Sequence, residues 1–281
     1  MSPLSEEGRA SPANTGSLAE QLGGDRSDNE MLKAQPQEAD RINLGSFQSR
    51  IRPDAWEVLF RSKELQQKFS GAARHKAFVV SIDMRKSTEL MLRAETPELF
   101  ARFITSLCKE IGDIVVENHG VFDKFTGDGV LGYFPTFFSG EDAGFLALKA
   151  ASECHACFQR QYLKHRNCFT VLMSDVGLGV GIDFGDVSFV QILGAPTVVG
   201  KPVVYACRMG AAPAGQTLLN NPAYRELSTR FPNYCVFHDE FLSVKDGKYI
   251  AFSVQFNEEG YTPKRPGWED HKRTPTDRPT P

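Results

Sequence analysis

Gly120-Val121-Phe122-Asp123-Lys124-Phe125-Thr126-Gly127-Asp128-Gly129-Val130-Leu131-Gly132-Tyr133-Phe134 is the stretch on which the reading of this chain turns. Val121, Phe122, Phe125, Val130, Leu131, Tyr133 and Phe134 are strand formers. Gly127-Asp128-Gly129 supplies a turn between them, because glycine accepts positive φ and Asp tolerates turn geometry. The two arms therefore predict a tight β-hairpin. An Asn-Gly pair would serve a plain turn equally well. Here the tip carries an acid, and a lysine stands a few residues before it in the strand. The hairpin is then either a solvated turn or part of a metal or phosphate site.

Upstream, Lys76-Ala77-Phe78-Val79-Val80-Ser81-Ile82-Asp83-Met84 is a near-continuous apolar run, which predicts a strand buried on both faces. Asp83 closes it. A carboxylate there costs several kcal/mol unless paired or metal-bound; a plain strand-ending cap is the competing reading. Arg85-Lys86-Ser87-Thr88 opens a helix, with Ser87 or Thr88 as an ordinary N-cap or as a polyphosphate cradle beside two cations. Thr96-Pro97-Glu98 starts a long helix to about Asn118, with Leu99, Phe100, Phe103, Ile104, Leu107, Ile111, Ile114 and Val115 spaced by threes and fours.

Downstream, Gly140-Glu141-Asp142 caps a second amphipathic helix to about His165. Its Cys154-His155-Ala156-Cys157 has no second cysteine pair at ligand spacing, so core cysteines are preferred to zinc. Val176 to Val190 predicts two strands joined by a turn at Gly185-Asp186, with Gly177, Gly179 and Gly181 on one face for close approach of a helix, a backbone or a ligand. A helix enters at Pro202 and carries Arg208 between small residues, either a phosphate partner or a snorkelling surface side chain. A short strand at Gln216–Leu219, a helix from Pro222 and three strands from Cys235 to Val254 follow, the last two joined by a turn at Lys245-Asp246-Gly247-Lys248.

The 281 residues suffice for one domain plus tails, and 41% hydrophobic residues allow a sizeable core. A net charge of -3 without a basic block argues against nucleic acid as partner. No apolar run approaches the roughly 20 residues that span a bilayer, and the N-terminus lacks a signal-peptide core. Six cysteines then read as reduced thiols, and the expected compartment is the cytoplasm. Residues 1–45 and 258–281 are polar and rich in Pro, Gly or Ser, so both are expected to be disordered. Between them lie an N-terminal helical segment, 46–73, with one helix from Pro53 to about Phe69 ended by Gly71, and a domain over 74–257.

Two acids and an arginine in this arrangement suit phosphoryl chemistry. Paired carboxylates can bridge two divalent ions, and cations stabilise charge on a transferring phosphorus. Val80-Ser81-Ile82-Asp83-Met84, Asp123-Lys124-Phe125-Thr126-Gly127-Asp128, Gly181-Ile182-Asp183-Phe184-Gly185 and Val199-Gly200 through Ala206-Cys207-Arg208-Met209 together resemble the class III nucleotidyl cyclase catalytic domain. The resemblance implies an α+β fold with a ferredoxin-like core, a mostly antiparallel sheet with helices packed on one side, and a head-to-tail homodimer with composite sites.

By the same resemblance, Asp83, Asp128 and the Met84 backbone carbonyl bind two divalent cations, Mn2+ or Mg2+. Residues 84 to 88, with Arg85, Ser87 and Thr88, cradle the β and γ phosphates of a nucleoside triphosphate. Arg208 stabilises the transition state, and Lys124 with Thr197 approaches the base from the other subunit. Lys245, or Lys248, binds phosphate. The implied reaction is attack of the ribose 3′-oxygen on the α-phosphorus with release of pyrophosphate. Val204 stands where the family usually has a ribose-holding Asn, and Thr197 where Asp or Cys is common. Asp83-Met84-Arg85-Lys86-Ser87-Thr88-Glu89-Leu90-Met91 looks most like the Pycsar antiphage pyrimidine cyclases. That implies UTP converted to cyclic UMP, a separate effector activated by the product, and the segment Phe47 to Trp56 filling part of a purine-sized pocket. The alternatives are a bacterial adenylate cyclase making cyclic AMP, a non-catalytic nucleotide-binding module, and a ferredoxin-like interaction domain.

Overall fold

A computed structural model describes residues 43–70, 73–192, 194–244 and 247–272. Strand β1 (His75–Arg85) lies in the middle of a sheet ordered β2 (Val121–Phe125), β3 (Val130–Pro135), β1, β4 (Gly177–Ile192), β6 (Gln216–Leu219), β8 (Gly247–Phe256), β7 (Cys235–Val244). The far end of β4 also pairs with β5 (Ala195–Val199). Among the described residues only the β4–β6 pairing is parallel. The sheet is mostly antiparallel, as expected.

Alternation along β1 builds two cores. Phe78, Val80, Ile82 and Met84 point to one face, with Leu178, Val180 and Ile182 of β4. That face is covered by the long helices α4 (Pro97–Glu117) and α6 (Ala143–Lys164) and by α8 (Asn221–Arg230), through Phe103, Leu107, Ile111, Phe158 and Leu227. Ala77 and Val79 point to the opposite face, with Ala206 of α7 (Lys201–Met209) and with Leu59 and Phe69 of α1 (Pro53–Arg61) and α2 (Lys63–Ser70). Short helices α3 (Ser87–Leu92) and α5 (Thr136–Ser139) follow β1 and β3.

Four local expectations are corrected. The strand does not turn at Gly185-Asp186, because β1 pairs with β4 without interruption from His75↔Val187 to Arg85↔Gly177. The helix from Pro53 ends at Ser62, which has extended ψ and whose hydroxyl accepts from Leu65 N (3.3 Å), starting a second helix. Gly71 lies outside the described residues. Residues 43–45 form the start of a capped turn, Gly45 N donating to Asn43 Oδ1 at 3.1 Å, while residues 1–42 lie outside the described residues.

The fourth correction concerns the C-terminal stretch 258–272, which packs on the domain. Tyr261 Oη and Lys264 N donate to buried Asp142 Oδ2 at 2.8 and 2.7 Å. Trp268 is 4% exposed, stacks on Phe138, and donates from Nε1 to Phe138 O at 2.7 Å. Glu269 bonds His119 Nε2 at 2.8 Å. A few aromatic anchors hold a stretch whose average composition is that of a tail. Residues 273–281 lie outside the described residues. No described helix is long and apolar enough to cross a membrane.

Candidate active site

The hairpin reaches the end of β1 through its register. Ile82 pairs with Val130, so the 126–129 turn closes beside Asp83. Thr126 N donates to Gly129 O at 2.9 Å, and Gly127 takes φ +90°. Gly129 has no room for a side chain: a Cβ would lie 2.4 Å from Ile82 O and 3.3 Å from Asp83 Cα. Glycine there lets the turn lie on the β1 backbone.

Asp83 and Asp128 feel each other. The Asp83 carboxyl is held above the usual Asp range, first by burial and then by the Asp128 charge, against the pull of Arg85. Arg85 Nη1 donates to Asp83 Oδ2 at 2.7 Å. Cys108 of α4, also in the field of Asp128, is pushed to about 11, chiefly by burial. Two like charges in one partly dehydrated place, with oxygen donors only, fit a hard divalent cation, which would relieve both the burial cost and the repulsion. Among the described residues no group of three or more His, Cys, Asp or Glu side chains could hold a metal ion. The remaining ligand positions would therefore fall to substrate oxygens, water and backbone. Met84 is buried in the core, so only its carbonyl is on offer.

A second group forms around Lys124. Its Nζ donates to Thr197 Oγ1 at 2.7 Å, bringing together residues expected as partners from sequence. Thr197 Oγ1 in turn donates to Asp123 Oδ2 at 2.9 Å, and Lys124 Nζ lies 3.2 Å from the same oxygen. Asp123 is 0% exposed. The pairing of β2 with β3 slips at this residue: Phe122 lies opposite Gly132 and Lys124 opposite Leu131, so Asp123 is an extra residue. A bulge of this kind re-aims side chains. Here the acid turns inward, the lysine outward, and the Asp123 carbonyl accepts from Arg50 Nη1, which also donates to Pro196 O at 3.2 Å. Asp123 and Arg50 were not singled out from sequence. Alternation from buried Val121 places an acid on the same face, and a buried acid requires partners.

Arg208 sits on α7 with its guanidinium over the rings of Tyr205 (5.3 Å) and Tyr249 (4.9 Å). The helix is held to the sheet at Gly181, whose missing side chain leaves room for the α7 backbone, and Gly179 leaves the same room for the backbone of Gly210 and Ala212 just after it. Of the three possibilities for that glycine face, a helix occupies the place beside Gly181, and the stretch of chain that follows it occupies the places beside Gly179 and Gly177. Ser87 and Thr88 lie in the first turn of α3, but neither caps it. The N-cap is Lys86, in left-handed conformation at φ 60°, and its ammonium pairs with Asp175. Lys245 lies outside the described residues, while Lys248 is exposed on β8. Phe47 packs against Phe69 in the core, ring centroids 4.8 Å apart, and so does not fill a base pocket. Cys154 and Cys157 are buried free thiols, pushed up mainly by burial, Cys157 to about 12.

No protein-family model matches the sequence, and no curated protein matches it. Solved structures do match. The adenylyl cyclase CyaB from P. aeruginosa superposes with a TM-score of 0.57 at 20% identity, over 68% of this chain and 98% of that one. The guanylyl cyclase Cya2 gives 0.58 at 20%, over 68% and 97%. A dimeric guanylyl cyclase domain from the aquatic fungus Blastocladiella emersonii gives 0.51 at 18%, over 66% and 99%. The chain has the fold of class III adenylyl and guanylyl cyclase catalytic domains.

Proposed function

We propose that the chain is a metal-dependent nucleotidyl cyclase that converts a nucleoside triphosphate to a 3′,5′-cyclic monophosphate and pyrophosphate. The observation that carries this is the register of β1 and β3, which sets two electrostatically coupled carboxylates, Asp83 and Asp128, side by side in a cyclase fold. Those carboxylates and the Met84 carbonyl are the groups that would hold two divalent cations, Mg2+ or Mn2+. When bound, such ions activate a hydroxyl and neutralise phosphate charge. Arg85, Ser87 and Thr88, with Lys245, are assigned to the β and γ phosphates, and Arg208 to charge developing at the α-phosphorus. Lys124 and Thr197 are assigned to the base.

A head-to-tail homodimer joins the carboxylates of one subunit to Lys124, Thr197 and Arg208 of the other. Val204, 49% exposed on α7 near Arg208, gives that helix an apolar outer face in keeping with such a contact. It offers the ribose no hydrogen bond. The finer reading, UTP to cyclic UMP signalling to a separate effector in antiviral defence, rests on the sequence resemblance. The solved neighbours are adenylyl and guanylyl cyclases.

The test is incubation of the full chain with ATP, GTP, CTP and UTP separately, with Mn2+ or Mg2+, reading products by mass. One cyclic monophosphate with equimolar pyrophosphate is expected, falling about 100-fold or more in Asp83→Asn and Asp128→Asn. Both variants should melt no lower than the parent, because each removes a like-charge repulsion. Absence of any cyclic product, beside a working cyclase, would sink the reading.

A further inference from the structure

Towards the end of the sheet away from Asp83 lies a cavity of about 640 Å³ that the cyclase reading does not use. Its floor is β4. Asp183 pairs with Val79 and Asp186 with Lys76, whereas Asp83 pairs with Gly179. At about 3.3 Å per residue, the cavity is displaced from Asp83 by about 13–23 Å along the strands. Asp183 shares the sheet face of Val79, under α7. The first turn of that helix closes over it, since a Cβ on Gly185 would stand 3.1 Å from Pro202 Cγ. Asp183 is 2% exposed and lines the cavity. Asn220 and Phe184 N donate to its carboxyl, yet Oδ1 is buried without a hydrogen-bond partner. Burial pushes the carboxyl up to about 6, so at pH 7.5 it is an ionised acceptor kept at a cost to stability. A buried acceptor left one bond short calls for a donor from outside the chain.

The surroundings of this acceptor are positive. Arg74, Lys76 and Lys201 line the same cavity, and α7 and α8 both start at its wall without a side-chain cap. Uncapped helix starts present free N–H groups and the positive end of the helix dipole. Lys76 is paired with Asp186 at 3.2 Å, while Arg74 and Lys201 make no ion pair among the described residues. An ammonium group or a metal ion at Asp183 would meet these cations and helix starts as like charges. A neutral hydroxyl would not, and it can donate to Oδ1. The two unpaired cations and the helix starts suit an anion of high charge, and a phosphate monoester meets that demand better than a carboxylate. Pro202, Tyr205 and Pro222 add an apolar wall, and the volume lies within the range of about 300–1,000 Å³ usual for small-molecule sites. We infer that this cavity binds a phosphorylated sugar or polyol, with a hydroxyl donating to Asp183 Oδ1 and the phosphate held by Lys201 and Arg74 at the start of α7.

The experiment is calorimetry on the full chain without divalent metal. The probes are ribose 5-phosphate, glucose 6-phosphate and glycerol 3-phosphate, with inorganic phosphate and glutamate for comparison. At least one of the three esters is expected to bind about tenfold or more tighter than inorganic phosphate. Asp183→Asn keeps the shape of the side chain and relieves a buried charge, so it should fold. It should weaken that ester about tenfold, by loss of a charge-assisted hydrogen bond, and leave inorganic phosphate no weaker. Lys201→Ala, at an exposed position, should weaken ester and inorganic phosphate alike. Arg85→Ala should change neither, because Arg85 pairs with Gly177 at the other end of β1. Binding of none of the three esters, esters no tighter than inorganic phosphate, or tighter binding of glutamate overturns the inference. So does an ester affinity that Asp183→Asn or Lys201→Ala leaves unmoved, or one that Arg85→Ala abolishes, which would put the ester in the candidate active site. None of the residues assigned to metal, phosphate or base lines this cavity. Cyclic product without ester binding would therefore refute this site alone, and ester binding without cyclic product would refute only the cyclase reading.

Discussion

Replacing Gly181 by alanine tests how the arginine helix is held. Gly181 lies on β4 opposite Ser81, under α7. An added Cβ would stand 2.1 Å from Ala206 O, 2.1 Å from Gly210 N and 2.5 Å from Met209 C. All three obstacles are backbone, so no change of rotamer relieves them. Ordinary contact begins at 3.4 Å, and α7 must therefore retreat by about 1.3 Å. Ala206 and Met209, both fully buried, would leave their places in the core with it. Overpacking of a core costs about 1–3 kcal/mol, and a whole helix backbone has to move here, so about 3 kcal/mol is expected. Arg208 rides on the same helix, and a displacement of about 1 Å at a catalytic group can cost about 100-fold in rate. The assays are urea unfolding and cyclase turnover on folded protein. Gly267→Ala is the control, since nothing lies within 4 Å of its new Cβ. If Gly181→Ala unfolds within about 0.5 kcal/mol of the parent and keeps full turnover, the account of α7 is wrong.

Two further outcomes follow from buried groups outside the candidate site. Trp268→Ala should lower stability by about 3–5 kcal/mol, the usual cost of deleting a buried aromatic, as read from urea midpoints; an unchanged midpoint would mean that the C-terminal stretch is not docked. Asp183, 2% exposed, is raised by burial to about 6, against hydrogen bonds from Asn220 and Phe184 N. Its folded state thus binds a proton more tightly than the unfolded chain. The stability this contributes is complete below about pH 4 and is lost as pH rises through 6. Asp183→Asn should therefore stabilise the protein at pH 7.5 by up to about 3 kcal/mol and change it little at pH 4. Equal effects at both pH values would contradict this.

Much of the sequence reading was local and survived for that reason. The β1 run is apolar at successive positions, so a strand buried on both faces could be read directly. The threes and fours of α4, its Thr96 cap, which accepts from Leu99 N at 3.3 Å, and the glycine turn around Asp128 are likewise written within a few residues of one another. The resemblance carried by Asp83, Lys124, Asp128 and Arg208 led to the cyclase fold seen in the solved neighbours.

What went astray depended on partners far away in the chain. Gly185-Asp186 has the composition of a turn, yet β1 pairs across it and keeps β4 extended. The stretch after Phe256 is polar on average, yet Tyr261 and Trp268 meet Asp142 and Phe138, more than a hundred positions earlier. Ser87 and Thr88 carry the chemistry of caps, but the αL turn at Lys86 starts the helix without them.

The hairpin shows the division within one element. Sequence alone determined that residues 120–134 form two strands with an acid at the tip, because strand and turn propensities belong to the residues themselves. Tertiary structure decided what the acids do. Pairing with β1 brings Asp128 to Asp83, and the bulge against β3 sends Asp123 inward to Thr197, 74 positions away. Such meetings are set by burial and hydrogen-bond satisfaction summed over the whole fold, and no window of neighbouring residues contains them.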